Sequence, residues 1–163
     1  MNKDLLLREL DASIKNMLDT LSTFDKESFT IKPSDIKWSA AQVTEHLLLL
    51  EAIAIKALSG ETIPTNRAAD EKIALIKWAM EDATKRQAPE TVQPSNEGID
   101  LQAAIEKLKQ QRDKLREVVS TSDVTEACIS IKHPALGTLT KWEWVYFTIY
   151  HMQRHLEQIK KLT

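Results

Sequence analysis

A single cysteine, Cys128, rules out an internal disulfide in this 163-residue chain. With no cationic, apolar-cored leader at the N-terminus, the expected location is cytoplasmic. Three glycines and five prolines are too few for a turn-rich all-β chain or a low-complexity linker. Neither sign of charge dominates: 22 Lys and Arg stand against 24 Asp and Glu, a formal net charge of -2. Such a balance gives no field to attract a nucleic-acid backbone or an anionic membrane surface. No uncharged run reaches the roughly 18–20 residues needed to span a bilayer, and the most apolar stretch, His46 to Leu58, is broken by Glu51 and Lys56. No phosphate-binding glycine loop and no Ser-His-Asp arrangement can be recognised. The expected partner is a small molecule, with no nucleic acid and no membrane.

What is present favours helix. The composition, 42% hydrophobic and 28% charged, suits one globular domain spanning residues 1–163. Leu6, Leu10, Ile14, Met17 and Leu21 recur every three or four residues and predict an amphipathic helix over about Lys3–Thr23. Ser39-Ala-Ala-Gln42 is a capping box that opens a second helix, ending near Gly60. Residues 61–98 hold Pro64, Pro89, Pro94 and Gly98 and read as a long crossover carrying one short helix through Ile73, Ile76, Trp78 and Met80. Asp100 caps a third long helix through Leu101, Ile105, Leu108, Leu115 and Val118, with Glu106, Lys107, Lys109, Arg112 and Lys114 assigned to its outer face. Pro134 and Gly137 interrupt the next segment, in which Ile129 and Ile131 are expected to be locally extended. Thr140-Lys-Trp-Glu143 then opens a last helix through Trp144, Phe147, His151, His155 and Ile159. The fold class is all-α: a four-helix bundle with a long crossover carrying a short extra helix.

Three of the four histidines fall on interior faces. His46 shares its face with Val43, Leu49, Leu50 and Ile53, while His151 and His155, four apart, project from one face together with Phe147 and Ile159. One helical turn is the spacing at which two imidazoles reach one metal ion about 2 Å from each nitrogen. A single core histidine is ordinarily a hydrogen-bonded packing residue. Three buried rings each need a polar partner, and a shared divalent cation supplies it for all. Three histidines without a fourth protein ligand leave a coordination position open for water or substrate, as in catalytic zinc sites. Gln42, one turn before His46, and Gln158, three residues after His155, are candidates to orient the ligands. His133, held extended before Pro134, is a candidate for the site mouth. Glu45 and Glu157 project away from the ligands and are expected to be solvated. Cys128 reads as inert, and the catalytic residues proper are unknown.

Trp38-Ser39 through Gln42 to His46-Leu47 is similar to the first conserved segment of the DinB-like (YfiT-like) superfamily. His133-Pro134, Gly137, Leu139-Thr140, Glu143-Trp144, Phe147, His151, Arg154-His155 and Gln158-Ile159 resemble that family's final loop and helix, with its H-x-x-R-H step. Ala88-Pro89-Glu90 and Pro94 add to the likeness. The resemblance implies an up-down-down-up bundle, a Ni2+ or Zn2+ site on His46, His151 and His155, and a homodimer. Relatives include thiol-dependent S-transferases, a thiol-dependent isomerase and proteins labelled metal-dependent hydrolases, and fold does not choose among them. The first expectation is therefore a metalloenzyme that activates a low-molecular-weight thiol or a water against a small electrophile. The alternative is a non-catalytic metal-binding or stress-related bundle. A third reading has no metal, the histidines being satisfied by side chains and trapped water.

Overall fold

The four long helices form where their periods and caps place them. A computed structural model describes residues 2–82 and 87–163; Met1 and residues 83–86, within the predicted crossover, lie outside the described residues. Asn2 caps α1 (Lys3–Leu21) by accepting from the amides of Asp4 and Leu5. A short α2 (Lys26–Thr30), which the sequence reading missed, follows. Five residues are too few to show a period. Its anchor is Phe29, fully buried and edge-on to Phe24 at 5.9 Å. Both predicted capping boxes are present, Ser39–Gln42 at the start of α3 (Ala40–Leu58) and Thr140–Glu143 at the start of α6 (Lys141–Ile159). Asp100 caps α5 (Leu101–Thr121).

The crossover carries the expected short helix, α4 (Ile73–Glu81), packed on α6, and then a 3-10 turn, Glu90–Val92, against α3. Strands β1 (Thr62–Ile63) and β2 (Ala127–Cys128) pair antiparallel, joining the foot of α3 to the segment before α6. The extension predicted at Ile129 and Ile131 thus falls slightly earlier, because Thr62–Ile63 fixes the register; Ile129 adds one bond, donating its N–H to the Glu61 carbonyl at 3.0 Å. Gly60 follows α3 without a left-handed φ. Its small size matters instead, because a Cβ there would collide with the Ser130 side chain.

Each of α1 and α3 packs against both α5 and α6, so α1 faces α3 across one diagonal and α5 faces α6 across the other. The core divides into two apolar clusters along the bundle axis. One holds Leu6, Leu10, Ala54, Leu58, Leu115, Val119, Val145 and Ile149; the other holds Met17, Leu21, Val43, Leu47, Ala104, Leu108, Leu156 and Ile159. Chain order through these clusters gives the helix directions: α1 and α6 run from the first to the second, α3 and α5 from the second to the first. This is the up-down-down-up arrangement.

One face assignment is corrected. Arg112 does not belong to the solvated face of α5: it is 4% exposed and its Nε lies 2.8 Å from Oε1 of Glu51, itself 3% exposed on α3. Leu108, Arg112, Leu115 and Val119 follow the four, three, four spacing of an interior stripe, and the charge at its second position hid it. Among the described residues, no helix is long and apolar enough to cross a membrane.

Candidate metal centre

His46 lies in the second turn of α3, buried, beneath Trp38, whose ring centroid is 5.2 Å from its own. Its Nδ1–H donates to the Val92 carbonyl at 2.6 Å, so the 3-10 turn of the crossover sets the ring's orientation. On α6, His151 is buried and stacks on Phe147 one turn earlier, with centroids 5.6 Å apart and planes 18° from parallel. His155, half-buried, places its Nδ1 2.9 Å from the Gln158 side-chain oxygen. With Nδ1 committed on His46 and His155, both rings turn Nε2 towards the same point.

The three Nε2 atoms converge. His46 Nε2 is 3.3 Å from His151 Nε2, and His155 Nε2 is 3.2 Å from the same atom. One ligand atom from each ring lies within 4.8 Å of the others, and the group contains no carboxylate or thiol. Two nitrogens each about 2.0–2.1 Å from a tetrahedral ion are separated by about 3.3–3.4 Å, which matches the distances of His46 and His155 from His151. Burial holds the His46 ring below the ordinary imidazole range, against the pull of the Val92 carbonyl. It depresses His151 well below that range, reinforced by His155, His46, Arg154 and His133. His155 is pushed down to about 4 by burial first, then by His46 and Arg154, with Gln158 opposing.

At neutral pH the rings are therefore uncharged, and their tautomers leave a conflict. The Nε2 atoms of His46 and His155 are both acceptors facing His151 Nε2, which carries at most one proton and can satisfy only one of them. A cation accepts all three lone pairs at once, so the donor set fits a divalent ion.

The other predicted site residues separate. Gln158 touches the cluster through His155. Gln42 turns away: its oxygen accepts from the Ser39 amide at 3.2 Å, and its Nε2 donates to the carbonyls of Ser95 and Asn96 at 2.9 and 3.1 Å. Gln42 thus ties the crossover to α3. Gly98 completes that tie, with φ +74° and a place so close to Ala41 and the Gln42 amide that a Cβ would sit 2.7 Å from the Ala41 side chain. Glu45 is partly covered and accepts from the amide and hydroxyl of Ser95, whereas Glu157 is exposed, on Lys160.

His133 stands one ring away from the centre. It sits edge-on to Phe147 at 4.7 Å, and Phe147 in turn stacks on His151. Its Nδ1 accepts from the Ala135 and Leu136 amides at 3.2 Å each, in a turn closed by the reciprocal backbone bonds of His133 and Gly137. The buried Cys128 thiol is pushed up to about 11 by burial, the state of an inert thiol. Glu143 does more than cap: fully buried, it takes a two-pronged bond from Arg67 at 2.6 Å on each oxygen and one from the Lys72 amide at 2.9 Å. Arg67 carried no pattern in the sequence that would have singled it out. Two surface hollows, one beside Arg67 and Glu126 and one between α3 and α5, are not lined by the histidines.

Comparison with known proteins agrees with this architecture. The chain is 25% identical over 142 residues to the uncharacterized protein YuaE of Bacillus subtilis (strain 168), covering 87% of each chain. Its fold is similar to the crystal structure of TT2238, a four-helix bundle protein, with a TM-score of 0.62, 20% identity and 98% of both chains covered. The DinB superfamily matches residues 9–159, a span that runs from the second turn of α1 to the end of α6 and holds all three converging histidines, and the chain belongs to that superfamily.

Proposed function

We propose that His46, His151 and His155 hold a divalent metal ion, Ni2+ or Zn2+, and that the protein uses it to activate a low-molecular-weight thiol or a water against a small electrophile, as an S-transferase or hydrolase. The convergence of three neutral imidazoles on one point, with Nδ1 of His46 and His155 engaged elsewhere, carries this reading. The bound ion would supply Lewis acidity, lowering the pKa of a coordinated thiol or water.

The protein's own groups do the rest. Val92 and Gln158 fix the tautomers of His46 and His155, so that Nε2 is the donor atom. Trp38 and Phe147 close two sides with apolar rings, and a drier site strengthens each charge interaction within it. His155, the most exposed of the three, marks the side on which the cluster meets solvent. His133, whose bonded Nδ1 leaves the proton on Nε2, is the nearest further titratable ring behind Phe147, and we assign it to the wall of the site.

Metal content decides first. Elemental analysis of untagged protein should give close to one nickel or zinc per chain, and His151→Ala should lose it. The loaded wild type should then consume a thiol, or release product from an activated ester, faster than the His151→Ala protein. A non-catalytic metal-binding bundle is the second reading. It predicts full metal occupancy, a metal-dependent unfolding temperature, and no turnover with either substrate class.

A further inference from the structure

Between the two apolar clusters the bundle contains a layer of polar side chains, one from each long helix: Ser13 on α1, Glu51 on α3, Arg112 on α5 and Thr148 on α6, each 3–4% exposed. Two of the four are satisfied on their own helices, Ser13 by the Leu10 carbonyl at 2.7 Å and Thr148 by the Val145 carbonyl at 2.8 Å. The other two meet across helices. Arg112 Nε lies 2.8 Å from Glu51 Oε1, and Arg112 Nη2 donates to the Met152 sulfur at 3.2 Å. The ion contact is off-axis, for neither Glu51 oxygen accepts an aligned hydrogen bond and Arg112 Nε and Nη1 donate none.

A buried ion pair so loosely bonded is a poor source of stability, since apolar residues of similar volume commonly do as well or better; fixing register is the best-attested use of such a pair. Leucine layers are interchangeable, and a helix that slips by one turn, about 5.4 Å, still buries leucine against leucine. Glu51 cannot slip. One turn from Arg112 on the inner stripe of α5 stand Leu108 and Leu115, and against either one both charges would lie unpaired in the core. The same slip would carry His46 away from His151, whose Nε2 it now approaches to 3.3 Å. Arg112 spans the three helices concerned, taking Glu51 from α3 and reaching Met152, the residue next to His151, on α6.

We propose that the Glu51–Arg112 pair is a positioning device that fixes the axial register of α3 against α5 and α6 and so holds His46 opposite His151 and His155. The consequence for metal affinity rests on the metal-site reading above; the consequence for register does not.

The test compares wild type with the double variant Glu51→Leu/Arg112→Met, which removes both charges at similar volume. Two readouts are taken: Co2+ affinity by chelator competition with the Co2+ absorption spectrum, and, in metal-free protein, cross-relaxation between the ring protons of His46 and His151. The double variant should unfold at or above the wild-type midpoint, bind Co2+ about tenfold or more weakly with an altered spectrum, and show a weakened or doubled ring signal. Wild-type affinity, spectrum and ring signal in that variant would overturn the proposal. If the double variant does not fold, Glu51→Gln, which removes the carboxylate charge at nearly the same volume, is read by the same two measurements: changed values support the proposal, unchanged values overturn it. A wild type that binds no Co2+ would count against the metal reading alone, and the ring signal would then decide the register.

Discussion

The histidine cluster between α3 and α6 and the Glu51–Arg112 pair between α3 and α5 are both polar and buried, yet they differ in what they leave unmet. The pair is balanced in charge, a carboxylate against a guanidinium, and has as many unbonded acceptors, the two Glu51 oxygens, as unbonded donors, Arg112 Nε and Nη1. Burial pushes the Glu51 carboxyl up, with Arg112 opposing, and pushes the Arg112 guanidinium down, with Glu51 opposing. The cluster is balanced in charge only because its rings are neutral, and it presents more lone pairs than protons at its centre. Structure-building and ligand-binding polar groups can thus be told apart inside one core by counting donors against acceptors at the point of contact.

Breaking the pair from one side should have the largest effect. Arg112→Met leaves Glu51 buried without a countercharge and should cost about 3–5 kcal/mol in urea unfolding, far more than the double substitution with Glu51→Leu. His151→Ala sharpens the other half of the comparison. It should remove the bound metal and with it the metal-linked stability, about 2.7 kcal/mol when free metal stands at a hundred times its Kd, and the variant's unfolding temperature should no longer respond to added Ni2+ or Zn2+.

Acid separates the two regions further. His155 is held at about 4 in the fold, below the unfolded value of about 6.5, so the unfolded chain binds more protons between these values. The stability is therefore complete above about pH 6.5 and falls as pH drops towards 4, by on the order of 2 kcal/mol in metal-free protein, with bound metal moving the loss to lower pH. Urea titrations at a series of pH values with and without metal check this; a flat profile across that window would count against three buried neutral imidazoles. The smallest effect expected is that of Gln158→Leu, which removes the acceptor on His155 Nδ1 and should weaken metal binding about tenfold by chelator competition, with the unfolding midpoint of metal-free protein little changed.

The helices and their caps were legible because each rests on local chemistry: Ser39, Asp100 and Thr140 cap where their side chains reach the next turn's amides. Histidines at 46, 151 and 155 were legible as inward-facing from their apolar neighbours. Arg112 was misplaced although it interrupts an interior stripe, because charge was read as exposure; an ion pair across helices has no signature within one helix. Gln42 was sought at the metal site because it lies one turn before His46, yet its amide went to the crossover at Ser95 and Asn96. His133 is a candidate for the site mouth from its place before Pro134, and only the fold sets its ring against Phe147.

By itself the sequence determined the number of long helices, the caps of three of them, most of their inward faces and the four-residue step that sets His151 and His155 on one side of α6, since each follows from the 3.6-residue period and from side chains that bond their own backbone. Only the tertiary structure decided that His46, 105 residues from His151, meets it at 3.3 Å, that Val92 from the crossover orients its ring, and that Glu51 finds Arg112. Those contacts join segments far apart in the chain, and they depend on how the helices cross and in what register, which no local pattern records.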